Sequence, residues 1–109
     1  MTKPIGNITV GRVNKPKQGA IDIRIDRATA LGNPYFMKGE SMRNDVCDKY
    51  RVHLMDKAGV DVPMTKELIR IIKLVKAGID VNLQCHCAPK RCHGDEIKDF
   101  VINGIKQAN

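Results

Sequence analysis

The segment VNLQCHCAPKRCHGDEI, residues 81–97, decides the fold class, because it joins a strand pattern to a helix pattern through one short turn. Apolar and polar residues alternate from residue 79 to residue 87, which is the period of a strand with one buried face. That face carries Ile79, Val81, Leu83, Cys85 and Cys87. After the turn, apolar residues recur at helical spacing, at Ile97, Phe100, Val101 and Ile105. A strand that leads into a helix in this way is typical of α/β domains.

Two further strands are predicted before this segment. NITVGRV, residues 7–13, and AIDIRID, residues 20–26, are short apolar stretches separated by the polar turn NKPKQG. In the second stretch three isoleucines alternate with charged residues, which again indicates one buried face. The loop that follows contains Gly32, Asn33 and Pro34, and the proline favours a turn there.

Two helices are predicted between the second and third strands. The first begins near Ser41 and ends at Gly59, with apolar residues at every third or fourth position. The second follows Pro63, with Thr65 as its N-cap and Gly78 at its C-terminal end.

The element order β-β-α-α-β-α predicts one α/β domain over residues 1–109, with a short, mostly parallel sheet and helices packed on it. In such sheets ligands bind at the carboxyl ends of strands and the amino ends of the following helices. Two segments of unusual composition fall at that edge, the loop from Arg27 to Pro34 and the turn from Cys87 to His93. The sequence therefore predicts a functional site there.

The composition favours an anionic partner. Lysine and arginine number 19 against 12 aspartate and glutamate residues, which gives a net charge of +7. Such a balance suits nucleic acid, a nucleotide or a phosphorylated metabolite, although the basic residues form no run of five and also suit a solvated surface. No stretch resembles a signal peptide or a membrane span, so we expect a cytoplasmic protein without a membrane partner and with reduced thiols.

Zinc binding is one interpretation of the cysteines and histidines. Zinc sites use four tetrahedral ligands, most often as two pairs from separate turns. The four donors would be Cys85, Cys87, Cys92 and His93, and their spacing, C-x-C-x4-C-H, is not one of the usual zinc-finger patterns. No metal or other cofactor is therefore favoured, and zinc stays an alternative.

A helix start that binds anions is the second interpretation. Cys92 and His93 adjoin the predicted start of the last helix, where backbone N–H groups and the helix dipole attract anions and favour a thiolate. A structural alternative is that His93 or Asp95 only caps this helix. Cys85 and Cys87 instead continue the apolar face of the strand, which favours burial. The pattern predicts a buried pair on the strand and a functional pair at the helix start.

The segments GR, DRATALGNPY, RNDVCDKYRVHL and LQCHCAPKRCHGDEI together resemble the domain-of-unknown-function family numbered 4326, small proteins of bacteria and phages. The positions that match its pattern are Arg27, Leu31, Gly32, Asn33, Pro34, Tyr35, Arg43, Tyr50, Cys85, Cys87, Pro89, Cys92, His93 and Gly94. Two positions depart mildly from it, since His86 stands where an aromatic residue is frequent and Tyr35 where phenylalanine is common. The family has no settled function, so the resemblance implies a shared site and a bacterial host cell, but no activity.

The first functional hypothesis is a pocket for a phosphate-bearing, nucleotide-like ligand. In it, the two arginines bind anionic oxygens, and the N–H groups of Gly94 and Asp95 complete the site. His93 is the acid or base of a hydrolase or transferase, if the protein is an enzyme. The ligand-binding residues of this hypothesis are Arg27, Asn33, Arg43, Tyr50, Gly94 and Asp95, and the catalytic residues are His93 and Cys92.

The alternative hypothesis is a non-enzymatic module that binds nucleic acid or protein, with or without zinc. The net charge supports salt-sensitive DNA binding without sequence preference. The chain has no helix-turn-helix or finger pattern, however, and few aromatic residues for stacking on bases. A phage origin would also allow interaction with a host protein. The sequence leaves both hypotheses open.

Overall fold

The described part of the chain forms three strands and three α-helices, in the order predicted from the sequence. The structure is a computed structural model and describes residues 5–26, 29–35, 39–85 and 92–108. The strands are β1 (Ile8–Arg12), β2 (Ile21–Arg24) and β3 (Val81–Cys85). The helices are α1 (Arg43–Lys57), which follows a short 3-10 helix (Glu40–Met42), α2 (Val62–Lys76) and α3 (His93–Ala108). The predicted α/β fold class is confirmed.

The three strands form one parallel sheet in which β3 lies between β1 and β2. Because both edge strands run parallel to β3, residues 13–20 lead from the carboxyl end of β1 back to the amino end of β2. They cross one face of the sheet without a helix, and the Lys17 N–H donates to the Asp22 carboxylate there over 3.1 Å. We call this the outer face, and the opposite one the inner face.

Helices α2 and α3 pack on the inner face, where the core lies between them and the sheet, and α1 packs against α3. Helix α3 contacts β1, β3 and both other helices. The three α-helices and β3 contribute fully buried side chains, and so do the segments around Ile25 and Leu31. The sheet and the helices therefore form two layers. On the outer face, residues 13–20 cross the sheet without forming a helix.

Glycines follow the first two helices, as predicted. Gly59 follows α1 with a φ of 88°, and Gly78 follows α2 with a φ of 84°. After α2, the Ile79 N–H donates to the Leu74 carbonyl oxygen and the Gly78 N–H donates to the Val75 carbonyl oxygen, both over 3.0 Å. These are the paired bonds of a Schellman motif. Among the described helices, none is long and apolar enough to cross a membrane.

Two boundary predictions were wrong. The N-cap of α2 is Asp61 rather than Thr65, and the Asp61 carboxylate accepts the Met64 N–H over 3.1 Å. The Thr65 hydroxyl instead donates to the Asp61 carbonyl oxygen within the first turn. Strand β3 begins at Val81, and Ile79 is 38% exposed because it belongs to the cap of α2 and not to the strand.

Strand β3 is buried on both faces, although its outer side chains are polar. Asn82 is 3% exposed and Gln84 is 6% exposed. The crossing segment passes over this face, since Lys15 and Lys17 line one groove together with Asn82. The alternation of polar and apolar residues in β3 therefore indicates on which face of the sheet a side chain lies. It does not indicate whether that side chain is exposed to water.

Candidate functional site at the carboxyl end of the sheet

The first turn of α3 lies directly against the sheet at Gly94. A Cβ atom on Gly94 would come within 2.9 Å of the Ile25 Cδ1 atom and of the Val10 Cγ1 atom, and within 3.2 Å of the Cys92 sulfur. Contacts this short require the neighbours to move, so glycine permits the close approach. Val10 lies in β1 and Ile25 directly follows β2, so α3 begins at the carboxyl end of the sheet.

Cys92 caps α3 with both its backbone and its sulfur. Its N–H donates to the Asp95 carboxylate over 3.1 Å, as in the acidic half of a capping box. The Gly94 N–H donates to the Cys92 sulfur over 3.3 Å, and the Asp95 N–H donates to the Cys92 carbonyl oxygen over 3.1 Å. The two N–H groups that the sequence assigned to a ligand are thus engaged by Cys92.

The thiol of Cys92 lies beside that of Cys85. The two sulfur atoms are 2.8 Å apart, and both side chains are buried. The hydrogen bond with Cys85, burial and repulsion from Cys85 raise the pKa of the Cys92 thiol well above its ordinary value of 9.0, and the Gly94 N–H offsets only part of this. The predicted burial of Cys85 on the strand and the predicted place of Cys92 at the helix start are confirmed, but the two thiols are in contact, because the end of β3 meets the start of α3.

A buried, protonated thiol is poorly suited to nucleophilic attack. Reactive cysteines are thiolates in positively charged, partly exposed surroundings, whereas Cys92 is 2% exposed. The observed contacts give Cys92 a structural part, as the cap of α3 and the partner of Cys85. Its catalytic role stays a prediction that this arrangement does not support.

The zinc alternative involves the same residues. Within the ranges that the structure describes, no three histidine, cysteine, aspartate or glutamate side chains are placed to hold a metal ion. Cys87 lies outside the described residues. Cys85 and Cys92 by themselves supply two of the four ligands that a tetrahedral zinc site needs, and the Nε2 atom of His93 is hydrogen-bonded to a backbone carbonyl oxygen.

His93 is buried between the end of β2 and helix α1. It is 8% exposed, its Nε2 atom is hydrogen-bonded to the Ile25 carbonyl oxygen, and its ring packs edge-on against Tyr50 with centroids 5.0 Å apart. A carbonyl oxygen can only accept, so Nε2 carries a proton, and this bond fixes the orientation of the ring.

Tyr50 connects α1 to the turn that begins at Leu31. Its hydroxyl donates to the Leu31 carbonyl oxygen over 2.7 Å, and burial raises the pKa of its phenol. Its ring also contacts His53 at 5.9 Å, and His53 contacts Tyr35 at 6.0 Å between centroids. Tyr50 thus holds the turn and His93 in one cluster.

The other predicted ligand residues lie around this cluster. The Asn33 side-chain oxygen accepts the Tyr35 N–H over 2.9 Å, which stabilises the turn. The Arg43 guanidinium binds the Glu40 carboxylate through two hydrogen bonds of 2.9 and 2.7 Å. Arg27 lies outside the described residues. Direct contacts therefore bring together Tyr50 with His93, and Cys92 with both Gly94 and Asp95, while Asn33 and Arg43 have contacts within their own segments.

Sequence reasoning missed the backbone carbonyl groups of Ile25 and Leu31, which fix His93 and Tyr50. Main-chain acceptors belong to every residue type, so no sequence pattern indicates them. It also missed Glu96, which is buried one helical turn after His93 and lines a groove of 390 Å³ between α1 and α3. The three-residue offset from His93 is the one signal that could have indicated it.

A family model described as "Domain of unknown function (DUF4326)" matches residues 8–103 of the chain. This match spans both segments of the candidate site and all three strands. No curated protein and no solved structure matches the chain.

Proposed function

The chain belongs to this family of unknown function, and we propose that it binds a phosphate-bearing, nucleotide-like ligand at the carboxyl end of its sheet. The ligand lies between the segment from Arg27 to Pro34 and the start of α3, and His93 is the acid or base of a reaction on it. One observation carries the proposal: a buried histidine, with its ring oriented by a hydrogen bond to a backbone carbonyl group, begins a helix at the carboxyl end of a parallel sheet.

The topology supports a ligand crevice at this end. After β1 the chain crosses the outer face, whereas the helix that follows β3 packs on the inner face. In open α/β sheets, ligand crevices form outside the carboxyl ends of neighbouring strands whose connections leave toward opposite faces. Strands β1 and β3 are such neighbours, and Gly94 brings the start of α3 against Val10 of β1.

The charges support an anionic ligand. The net charge is +7, Arg27 comes three positions after the last residue of β2 in the sequence, and Arg43 begins α1, two helical turns before Tyr50. Guanidinium groups match phosphate oxygens through paired hydrogen bonds. Because the Cys92 cap engages the N–H groups at the start of α3, the proposal assigns phosphate binding to Arg27 first, and to Arg43 through exchange of its exposed pair with Glu40 for the phosphate.

His93 suits acid–base chemistry such as hydrolysis or group transfer. The hydrogen bond between Nε2 and the Ile25 carbonyl oxygen orients the imidazole ring, and His93 takes a proton from an attacking water or hydroxyl group and returns it to the leaving group. Tyr50 and Cys92 are positioning residues in this scheme, because one packs against the imidazole ring and the other caps the helix that carries it.

Thermal unfolding with a panel of nucleoside mono-, di- and triphosphates, and with the matching nucleosides, tests the proposal. The informative variants are Arg27→Gln, which removes a guanidinium group, and His93→Gln, whose amide N–H replaces the bond to the Ile25 carbonyl oxygen without a basic nitrogen. His53→Gln is the matched control, since it is a histidine-to-glutamine change on α1.

A phosphorylated ligand at ten times its Kd raises the free energy of unfolding by about 1.4 kcal/mol, which shifts Tm by several degrees. We expect this shift to disappear in Arg27→Gln, to persist in His93→Gln, and to be absent with the nucleosides. Product analysis by chromatography then shows turnover in the wild type and in His53→Gln but not in His93→Gln. The proposal is wrong if no phosphorylated compound shifts Tm, or if Arg27→Gln retains the full shift.

A further inference from the structure

A groove on the outer face is lined by three basic residues that are not consecutive in the sequence. Its volume is 410 Å³, and Arg12, Lys15 and Lys17 line it together with Thr9 and Asn82. Arg12 ends β1, and the two lysines belong to the segment that crosses the sheet. The end of β1 and the crossing segment together therefore place three exposed cations over one polar patch of the sheet.

A second groove continues the first along β1. Its volume is 260 Å³, and it shares Thr9 and Lys17 with the first groove. It adds Lys98 of α3, along with Asp80. We call the two grooves together the β1 track. The β1 track carries four exposed cations, which are Arg12, Lys15, Lys17 and Lys98.

The cations of the β1 track have no ion-pair partner among the described residues. Two carboxylates lie beside them, and both accept hydrogen bonds from neutral groups. The Asp22 carboxylate accepts the Lys17 N–H over 3.1 Å and the Asn82 amide over 2.9 Å. The Asp80 carboxylate accepts the Asn7 N–H over 2.8 Å. The β1 track therefore has a net positive charge, and its two carboxylates form hydrogen bonds with neutral groups rather than ion pairs with the cations.

We infer that the β1 track binds the phosphodiester backbone of a nucleic acid. Four cations along two connected grooves suit a chain of phosphates better than one phosphate group. No aromatic side chain lines either groove in the described part of the chain, so bases have no surface on which to stack. Binding is therefore independent of sequence and strongly dependent on salt.

The exposed side of α2 provides a matched control. Lys66 and Lys73 also line a surface depression, but it contains Arg70, whose guanidinium pairs with Glu67 at 3.5 Å. The double variant Lys66→Gln/Lys73→Gln removes as much charge as Lys15→Gln/Lys17→Gln does. The two variants differ only in where the charge is lost.

The test is fluorescence anisotropy of a labelled 20-nucleotide DNA of mixed sequence, as a single strand and as a duplex, over a range of sodium chloride concentrations. We expect Lys15→Gln/Lys17→Gln to weaken binding about tenfold at low salt, and to reduce the slope of log K against log salt by about 1.4 for the single strand. Lys66→Gln/Lys73→Gln should stay within about twofold of the wild type.

Equal losses in the two double variants would overturn the inference, because net charge and not the β1 track would then govern binding. Absence of binding to either form of DNA at low salt would overturn it as well. Inorganic polyphosphate that displaces the DNA at an equal or lower phosphate concentration would assign the β1 track to another polyanion. The variant Lys15→Gln/Lys17→Gln should keep the rise in Tm that phosphorylated nucleosides cause, because neither lysine belongs to the proposed ligand site, so failure here and failure of that site are distinguishable.

Discussion

On the inner face of β3, Leu83 and Cys85 pack against helices, whereas on the outer face Asn82 and Gln84 lie on the side that the segment 13–20 crosses. All four side chains are buried. The inner face gains stability from removing apolar surface from water, and the outer face avoids a penalty only where its polar atoms find partners. The two faces of one strand are therefore sensitive to different substitutions.

Truncation on the inner face should have the largest effect. Leu83 is fully buried, so Leu83→Ala removes apolar contacts and leaves a cavity, and it should lower the free energy of unfolding by about 2–5 kcal/mol. Ile79→Ala is the control, since Ile79 precedes the same strand but is more than one-third exposed. Urea unfolding measures both. Similar losses in the two variants would show that the inner face is not the stabilising core.

Removal of the hydrogen-bonded amide on the outer face should have the next largest effect. The Asn82 amide accepts the Thr9 hydroxyl over 3.0 Å and donates to the Asp22 carboxylate over 2.9 Å. Asn82→Ala leaves both groups without this partner, so it should cost about 1–3 kcal/mol of unfolding free energy. A double-mutant cycle with Thr9→Val measures the coupling of the first pair.

Gln84 is the matched control on the same face of the same strand. Its side chain makes no hydrogen bond with a described residue, so Gln84→Ala should cost less than Asn82→Ala in the same urea experiment. An equal or larger loss from Gln84→Ala would mean that burial, and not the Thr9–Asn82–Asp22 network, determines the stability of the outer face.

Alkaline pH should have the smallest effect on the free energy of unfolding. It acts on the Cys92 thiol, which contacts Cys85 at the carboxyl end of β3. The hydrogen bond with Cys85 and burial raise the pKa of the Cys92 thiol, so the native state keeps its proton while the unfolded state loses it above pH 9.0. The unfolded state then binds fewer protons, so stability falls as pH rises, by about 1.4 kcal/mol per pH unit for one thiol.

Urea unfolding between pH 8 and pH 10 measures this loss. Burial also raises the pKa of the Tyr50 phenol, whose ordinary value is 10.0, so its contribution to the loss begins at higher pH. Cys92→Ser should therefore have a shallower pH dependence than the wild type below pH 10, and Tyr50→Phe should not. Parallel profiles for the wild type and Cys92→Ser would show that the thiol is ionised in the native protein.

Local sequence patterns were sufficient to predict the strands and helices, but they were insufficient to predict the contacts within the candidate site. The isoleucines of β2 and the glycines after α1 and α2 predicted strands and helix ends correctly, because backbone geometry and one-sided burial act over a few neighbouring residues. The same periodicity separated Cys85 from Cys92, which in fact touch. Contacts across a chain reversal depend on where the turn directs the next element, and periodicity carries no such information.

Residue patterns alone predicted the order of the elements, the core-facing side of the strands and helices, and the candidate histidine at the start of α3. They did not predict that β3 is central, that Tyr50 contacts His93, or that Lys98 lies near the basic residues of β1, all of which depend on the fold. The physical reason is the range of the forces involved. Propensity and periodicity act between near neighbours in the chain, whereas strand pairing and packing join residues that the folded path alone brings together.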